Sequence, residues 1–190
     1  MMQYGKDRGI SFYLFTWNIF TFGAEGKHGI TCDRSNEVTI KYFRASVREM
    51  IKTYPFLRGI GITAGENMMK SKSNTEEQWL WKTYGEGIND GLKLQPDRKF
   101  RLIHRYHMTD QSEIEKEFKD LTCPLDFSFK YSFAHMYSMT NPPFIKEMLP
   151  KLINGKKPGL QFETMTFIVF AGETLIMPEN IFNQFHLRIK

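Results

Sequence analysis

The stretch Arg58–Ser71, RGIGITAGENMMKS, decides how the rest of the chain is read. It is an apolar, glycine-punctuated run with the composition of a buried strand. Side chains alternate across a strand, so Ile60, Ile62, Ala64 and Glu66 share one side, and Gly59, Gly61, Thr63 and Gly65 share the other. Glycines this dense allow another segment to approach the backbone closely. The run stops at a carboxylate, Glu66, followed by Asn67. Alternation is read as carrying Glu66 to the mouth-facing side of the strand, where it would serve as a general acid or base. The competing role is a loop carboxylate or a structural ion pair, for which Arg105 is the natural partner.

Strand and helix patterns alternate on both sides of this stretch. Upstream, ISFYLFTWN (Ile10–Asn18) is rich in β-branched and aromatic residues and reads as a strand. TIKYFRASVREMIKTYP (Thr39–Pro55) has the spacing of an amphipathic helix closed by Pro55. Before them, MMQYGKDRG reads as the last turns of a helix stopped by Gly9. The chain is therefore expected to open inside a larger unit. Downstream, SNTEEQWLWKTYGEGINDGLKL reads as a helix capped by Ser73 or Asn74. KFRLIHRYH (Lys99–His107) is a third strand, and TDQSEIEKEFKDL is a helix capped by Thr109 or Asp110, with Glu113 near the capping-box position. LDFSFKYSFAHMYS (Leu125–Ser138) is a fourth strand, and PPFIKEMLPKL is a short helix with proline in its first turn.

Parallel strands alternating with helices define an α/β class. Two architectures compete, a doubly wound sheet and a partial (β/α)8 TIM barrel. No GxGxxG or GxxxxGK[ST] follows any strand, which removes the usual nucleotide-binding forms of the first. The strands instead end in polar or ionisable groups: Asn18, Glu66, Arg105 with His107, and His135. Catalytic groups of a barrel gather at those ends. A complete barrel takes about 250 residues, so four strands within 190 residues read as a piece of one. A sequential, curved sheet would favour the barrel, and strand order 2-1-3-4 the doubly wound form.

Composition narrows the partners. With 41% hydrophobic and 15% aromatic residues, the chain is expected to fold around a real core. The net charge of +5 arises from 26 basic residues scattered among 21 acidic ones, without a dense basic run or a nucleic-acid module, so no nucleic-acid partner is expected. No apolar run is long enough to span a membrane, and the charged N-terminus lacks the apolar core of a signal peptide. Cys32 and Cys123 have neither CxxC nor metal-ligand spacing. HRYH offers alternating histidines without accompanying carboxylates or cysteines, so no metal and no cofactor is expected.

Several residues are candidates for positioning a substrate. Arg105 and His107 share a face with Ile103 and could grip a sugar hydroxyl or carboxylate. His104, on the opposite face, reads as a hydrogen-bonded core histidine. Lys130 shares a face with Ser128 and Ser132, where an ammonium needs either a carboxylate or water. Trp17 could stack on a pyranose ring or belong to the core. Asn18, Asn67 and His135 complete the set.

YGKDRGISFYLFTWNIFTFG, TIKYFRASVREMIKTYPFLRGIGITAGENM, FRLIHRYH and DFSFKYSFAHMYS…PPFIKEMLP resemble consecutive segments of a large bacterial family of α-glucuronidase-like glycoside hydrolases. Members carry a (β/α)8 catalytic domain, often joined to carbohydrate-binding modules. The resemblance runs from Met1 to about Pro150. It implies hydrolysis of a glycosidic bond in a polysaccharide or oligosaccharide by paired carboxylates, in a secreted or periplasmic setting. A non-catalytic carbohydrate-binding or structural barrel remnant is the alternative it leaves open. By analogy, Glu66 would end the fourth barrel strand and the second carboxylate would end the seventh.

The chain is accordingly divided into a partial barrel domain, 1–157, and an atypical tail, 158–190. The tail, beginning GLQFETMTFIVF, lacks the expected continuation. The genetic code offers a reason. If each codon's third base is read with the next codon's first two, Met165–Thr166 must encode Asp and Met177–Pro178 must encode Ala. One string allowed over 157–181 is TWLTVRNDDIYCFRWGDPDYAREYI, which fits the expected family segment. The tail is therefore expected to be an out-of-frame translation, which would leave the second carboxylate, in RNDD, encoded but not translated. That expectation requires the codons of Gln161–Phe162–Glu163 to yield Val-Arg or Ile-Arg in the shifted frame. Without the missing strands, the chain would expose open sheet edges and the fragment alone would be inactive.

Overall fold

The computed structural model describes residues 1–16, 21, 23–64, 75–106, 109–129, 162–163 and 174–178. A short helix α1 (Met2–Lys6) leads through Gly9, at φ +70°, into strand β1 (Ile10–Phe15). Helix α2 (Glu37–Thr53) begins two residues before the expected start because Asn36 caps it, its side chain accepting from the backbone N–H groups of Val38 and Thr39. Strand β2 (Leu57–Thr63) follows. Helix α3 (Glu76–Leu80) is capped by Thr75 rather than by Ser73 or Asn74, through a reciprocal box with Gln78. A π-helical turn, Trp81–Gly85, joins it to α4 (Glu86–Lys93). Strand β3 (Arg101–Tyr106), helix α5 (Gln111–Glu117, capped by Asp110) and strand β4 (Leu125–Phe129) complete the repeat.

Strands β1 to β4 are mutually parallel and lie side by side in chain order. That order is the one expected of a barrel segment, not the 2-1-3-4 order of a doubly wound sheet. Two further strands join the sheet from the tail. The two-residue β5 (Phe162–Glu163) extends it in parallel beside β4, and β6 (Thr174–Pro178) lies antiparallel beside β1. The expectation of open edges is thus corrected at β1, whose outer edge is paired along Ile10–Leu14.

One side of the sheet carries the helices. Leu57, Ile60, Ile62, Ala64, Leu102 and Phe127 form a single buried cluster with helix residues such as Ile40, Val47, Ile51, Trp79, Ile88 and Ile114. Within that layer α4 lies tightly on α2. A Cβ on Gly87 would sit 2.8 Å from the Arg44 carbonyl oxygen, and one on Gly91 would sit 3.0 Å from the Ile51 side chain. Arg44 secures the same contact with hydrogen bonds to Asp90 and Glu86. The Arg44 guanidinium holds the Asp90 carboxyl below the ordinary carboxylate range, against the opposing effect of burial.

The other side is also buried at its centre, as parallel sheets require. Register places Gly59, Gly61 and Thr63 level with Arg101, Ile103 and Arg105, and Asp126 level with Ile103. Tyr13 and Phe15 lie over Gly59 and Gly61, in the volume where a Cβ would stand. The glycines therefore act on this face by giving room to two aromatic rings.

The Ile60–Ile62–Ala64 side of β2 packs against the helices. Glu66 itself lies outside the described residues. The strand ends at Thr63, so period-two reasoning stops before it reaches that residue.

Replacing Gly59 tests the close approach. A methyl there meets the Arg101 carbonyl oxygen and stands 2.9 Å from the Tyr13 ring, so β2 and β3 must separate. Gly59→Ala is expected to lower unfolding free energy in urea by about 1–3 kcal/mol; an unchanged midpoint would show that the strands adjust freely.

Candidate active site at the carboxyl ends of the strands

All four parallel strands run the same way, so the segments following β1, β2 and β3 emerge from one end of the sheet. Three sets of polar contacts tie these segments together. Behind β1, buried Arg34 approaches Glu76 in the first turn of α3, with Nη1 and Oε1 3.5 Å apart. Thr16, the residue after β1, meets the Tyr84 hydroxyl on the π-helical turn at 3.5 Å. Burial pushes the Tyr84 hydroxyl up from its ordinary pKa, and the Thr16 contact partly offsets this.

The third set centres on Glu77. Its Oε2 lies 2.8 Å from His104 Nε2, and its Oε1 accepts from the Thr109 hydroxyl at 2.7 Å. Glu77 and His104 are 1% and 0% exposed, so neither can exchange its partner for water. His104 Nδ1 faces the Arg105 carbonyl oxygen at 3.1 Å. A carbonyl only accepts, so Nδ1 carries a hydrogen. Nε2 and Glu77 must then share one further proton. The pair is either imidazolium with carboxylate or imidazole with carboxylic acid, and both forms are neutral overall. The histidine ring also stands edge-on to Phe118, with centroids 5.6 Å apart. His104 is therefore the hydrogen-bonded core histidine expected from the sequence.

This contact gives Glu77 a positioning role. It starts α3, directly after the segment that follows β2, and it holds the end of β3 through His104 and the next segment through Thr109. Sequence reasoning took Thr109 for a possible helix cap and passed over Glu77. One signal was present: Glu77 lies three residues before Leu80 and seven before Tyr84, in the apolar stripe of its helix. A carboxylate in that stripe needs a buried partner.

Among the expected site residues, Arg105 alone falls within the described residues. It is half-buried near the end of β3, level with Thr63 of β2 and Ser128 of β4, on the face opposite the helices. That position agrees with its shared face with Ile103. Trp17, Asn18, Glu66, Asn67, His107, Lys130 and His135 lie outside the described residues. Among the described residues, no three His, Cys, Asp or Glu side chains gather in a way that could hold a metal ion, and no helix is long and apolar enough to cross a membrane.

The Glu77–His104 pair yields a double-variant test. Glu77→Leu or His104→Leu alone leaves a buried polar partner unmatched and should cost about 3–5 kcal/mol in urea unfolding. The Glu77→Leu/His104→Leu double variant should recover most of that loss. Additive losses would show that the two residues act separately.

No family model matches the chain, and no curated protein matches it. Among solved structures, the fold is similar to that of a GH138 enzyme targeting pectin rhamnogalacturonan II. The likeness covers 75% of this chain at 24% sequence identity, with a TM-score of 0.58. The chain spans 17% of that enzyme's length. At this identity the likeness concerns the fold: a sheet with sequential parallel strands β1 to β4 and helices packed on one face.

Proposed function

We propose that the chain is part of a (β/α)8 glycoside hydrolase acting on a polysaccharide or oligosaccharide, with its substrate bound at the carboxyl ends of β1 to β4. The observation that carries this reading is the sequential parallel sheet, which a carbohydrate-active enzyme matches over three quarters of the chain. In this reading the contacts of Arg34, Tyr84 and Glu77 are a supporting frame, because they fix the segments that would carry the substrate-facing residues.

Hydrolysis by this route uses two carboxylates. Glu66 follows β2 by three residues and is the proposed acid/base. The second carboxylate is proposed to belong to RNDD, in the shifted frame of the tail. Arg105, half-buried at the β3 end, has the chemistry to hold a sugar hydroxyl or carboxylate. His107, Asn18, Asn67, Trp17, Lys130 and His135 are proposed to line the same mouth. A uronic-acid glycoside is the proposed substrate class, in keeping with the α-glucuronidase-like resemblance and with a cationic side chain at the mouth. A secreted or periplasmic location is proposed for the longer protein.

Substitution of Glu66 in the frame-restored longer protein separates catalysis from binding. Glu66→Gln keeps the shape and removes the proton, so kcat on an oligosaccharide is expected to fall by about 10²–10⁴-fold with KM little changed. A fall of less than about tenfold would assign Glu66 to the loop or ion-pair role. Oligosaccharide binding with no turnover in the unsubstituted protein would favour a non-catalytic module.

A further inference from the structure

Among the described residues, the outer edge of β1 is covered by β6 alone. The pairing is antiparallel, from Ile10 opposite Pro178 to Leu14 opposite Thr174. The strands of a closed (β/α)8 barrel are all parallel, so β6 holds this edge by a pairing that barrel closure cannot use. The inner edge of β1 belongs to β2, where the Thr16 N–H donates to the Gly61 carbonyl oxygen. Alternation back from Thr16 turns the backbone groups of Tyr13 and Ser11 toward β6, opposite Leu175 and Met177. Displacing β6 would offer that row of N–H and C=O groups to another strand.

The two strands differ in what their edges accept. β1 reads ISFYLF, six residues without charge, proline or glycine, the composition that favours self-pairing. Laid antiparallel on a second copy of itself, it sets Phe12 opposite Tyr13, Ser11 opposite Leu14 and Ile10 opposite Phe15, and no like charges meet. β6 reads TLIMP and is flanked in the sequence by Glu173 and Glu179. The same operation, centred on Ile176, sets Glu173 opposite Glu179 at both ends, where like charges repel. Pro178 follows Met177, so its missing N–H falls on the outward side of β6, where proline blunts an edge. An edge made of β6 resists the pairing that an edge made of β1 accepts.

We propose that the outer edge of β1 is a self-association surface for a second copy of this chain, and that β6 is the strap that keeps it covered. Two uncovered β1 edges pair antiparallel about a two-fold axis and join two sheets into one. The surface is the side of the sheet, not its carboxyl end, so it is separate from the proposed substrate mouth.

Leu175→Pro in the full chain tests this, because it removes the N–H that β6 turns toward Tyr13. By light scattering after size exclusion, the unsubstituted chain should be a monomer, and the variant should double in mass as its concentration rises. Hydrogen exchange locates the contact. The Ser11 and Tyr13 amides of the variant should be protected in the dimer and exchange at least about tenfold faster on dilution to monomer, while β2 and β3 amides stay protected throughout. A variant that is monomeric at every concentration, or a dimer whose Ser11 and Tyr13 amides exchange independently of concentration, would overturn the proposal. So would an unsubstituted chain that is already dimeric. Loss of protection in β2 and β3 would also overturn it, by making β6 part of the core rather than a cover.

Discussion

The contact between Glu77 and His104 is the constraint around which the upper half of this sheet is organised. A carboxyl and an imidazole, both removed from water, persist together only while they match each other's proton and hydrogen-bond demands. Meeting that demand fixes α3 against β3 and, through Thr109, fixes the segment that leaves β3. Around it the helix layer closes by ordinary apolar packing. Trp79 and Tyr84 stand beside Phe43, with Phe43–Trp79 centroids 5.2 Å apart and Phe43–Tyr84 centroids 6.4 Å apart. The π-helical turn lets Tyr84 face both this cluster and Thr16.

The two poles of the sheet have different chemistry. At the carboxyl ends, loops are held by mixed contacts in which acids and bases meet: Arg34 with Glu76, His104 with Glu77. At the amino ends, Arg58, Lys93, Arg98, Lys99 and Arg101 line a cavity, with Asp126 2.8 Å from Arg101 and Asp90 3.9 Å from Lys93. Enzymes with a (β/α)8 barrel place their reaction at the carboxyl ends of the strands, where residues from different strands converge. The second pole is shaped by structure first, since Arg98 ties the end of α2 to the start of β2 by donating to the carbonyls of Ile51 and Leu57.

Much of the fold was legible in the sequence, for physical reasons that also mark its limits. Apolar spacing located α2, and β-branched runs located β1, β2 and β3, because both patterns follow from burial. The side of β2 that faces the helices was not legible. Both faces of a parallel strand are buried, so Ile60 and Ile62 on one side and Gly59 and Gly61 on the other give no sign of which side receives helices. The glycines were read as permitting close approach, and the rings of Tyr13 and Phe15 are what approaches. Glu77 was missed because a cap-rich stretch, SNTEEQ, makes an acidic first turn look solvated. The strand β6 was not expected either, since its alternation is weak and its partner, β1, lies some 160 residues earlier. Arg105 lies on the face of β3 shared with Ile103, as strand alternation requires.

The account rests on substrate binding at the carboxyl ends of the parallel strands. Titration of isotope-labelled protein with a uronic-acid-containing oligosaccharide, followed by amide chemical shifts, tests that most directly. Shifts should concentrate at Thr16, Thr63, Ala64, Arg105 and Thr109, while Lys99, Thr122 and Cys123 at the opposite pole stay unchanged. Shifts confined to the opposite pole, or none at saturating sugar, would contradict it.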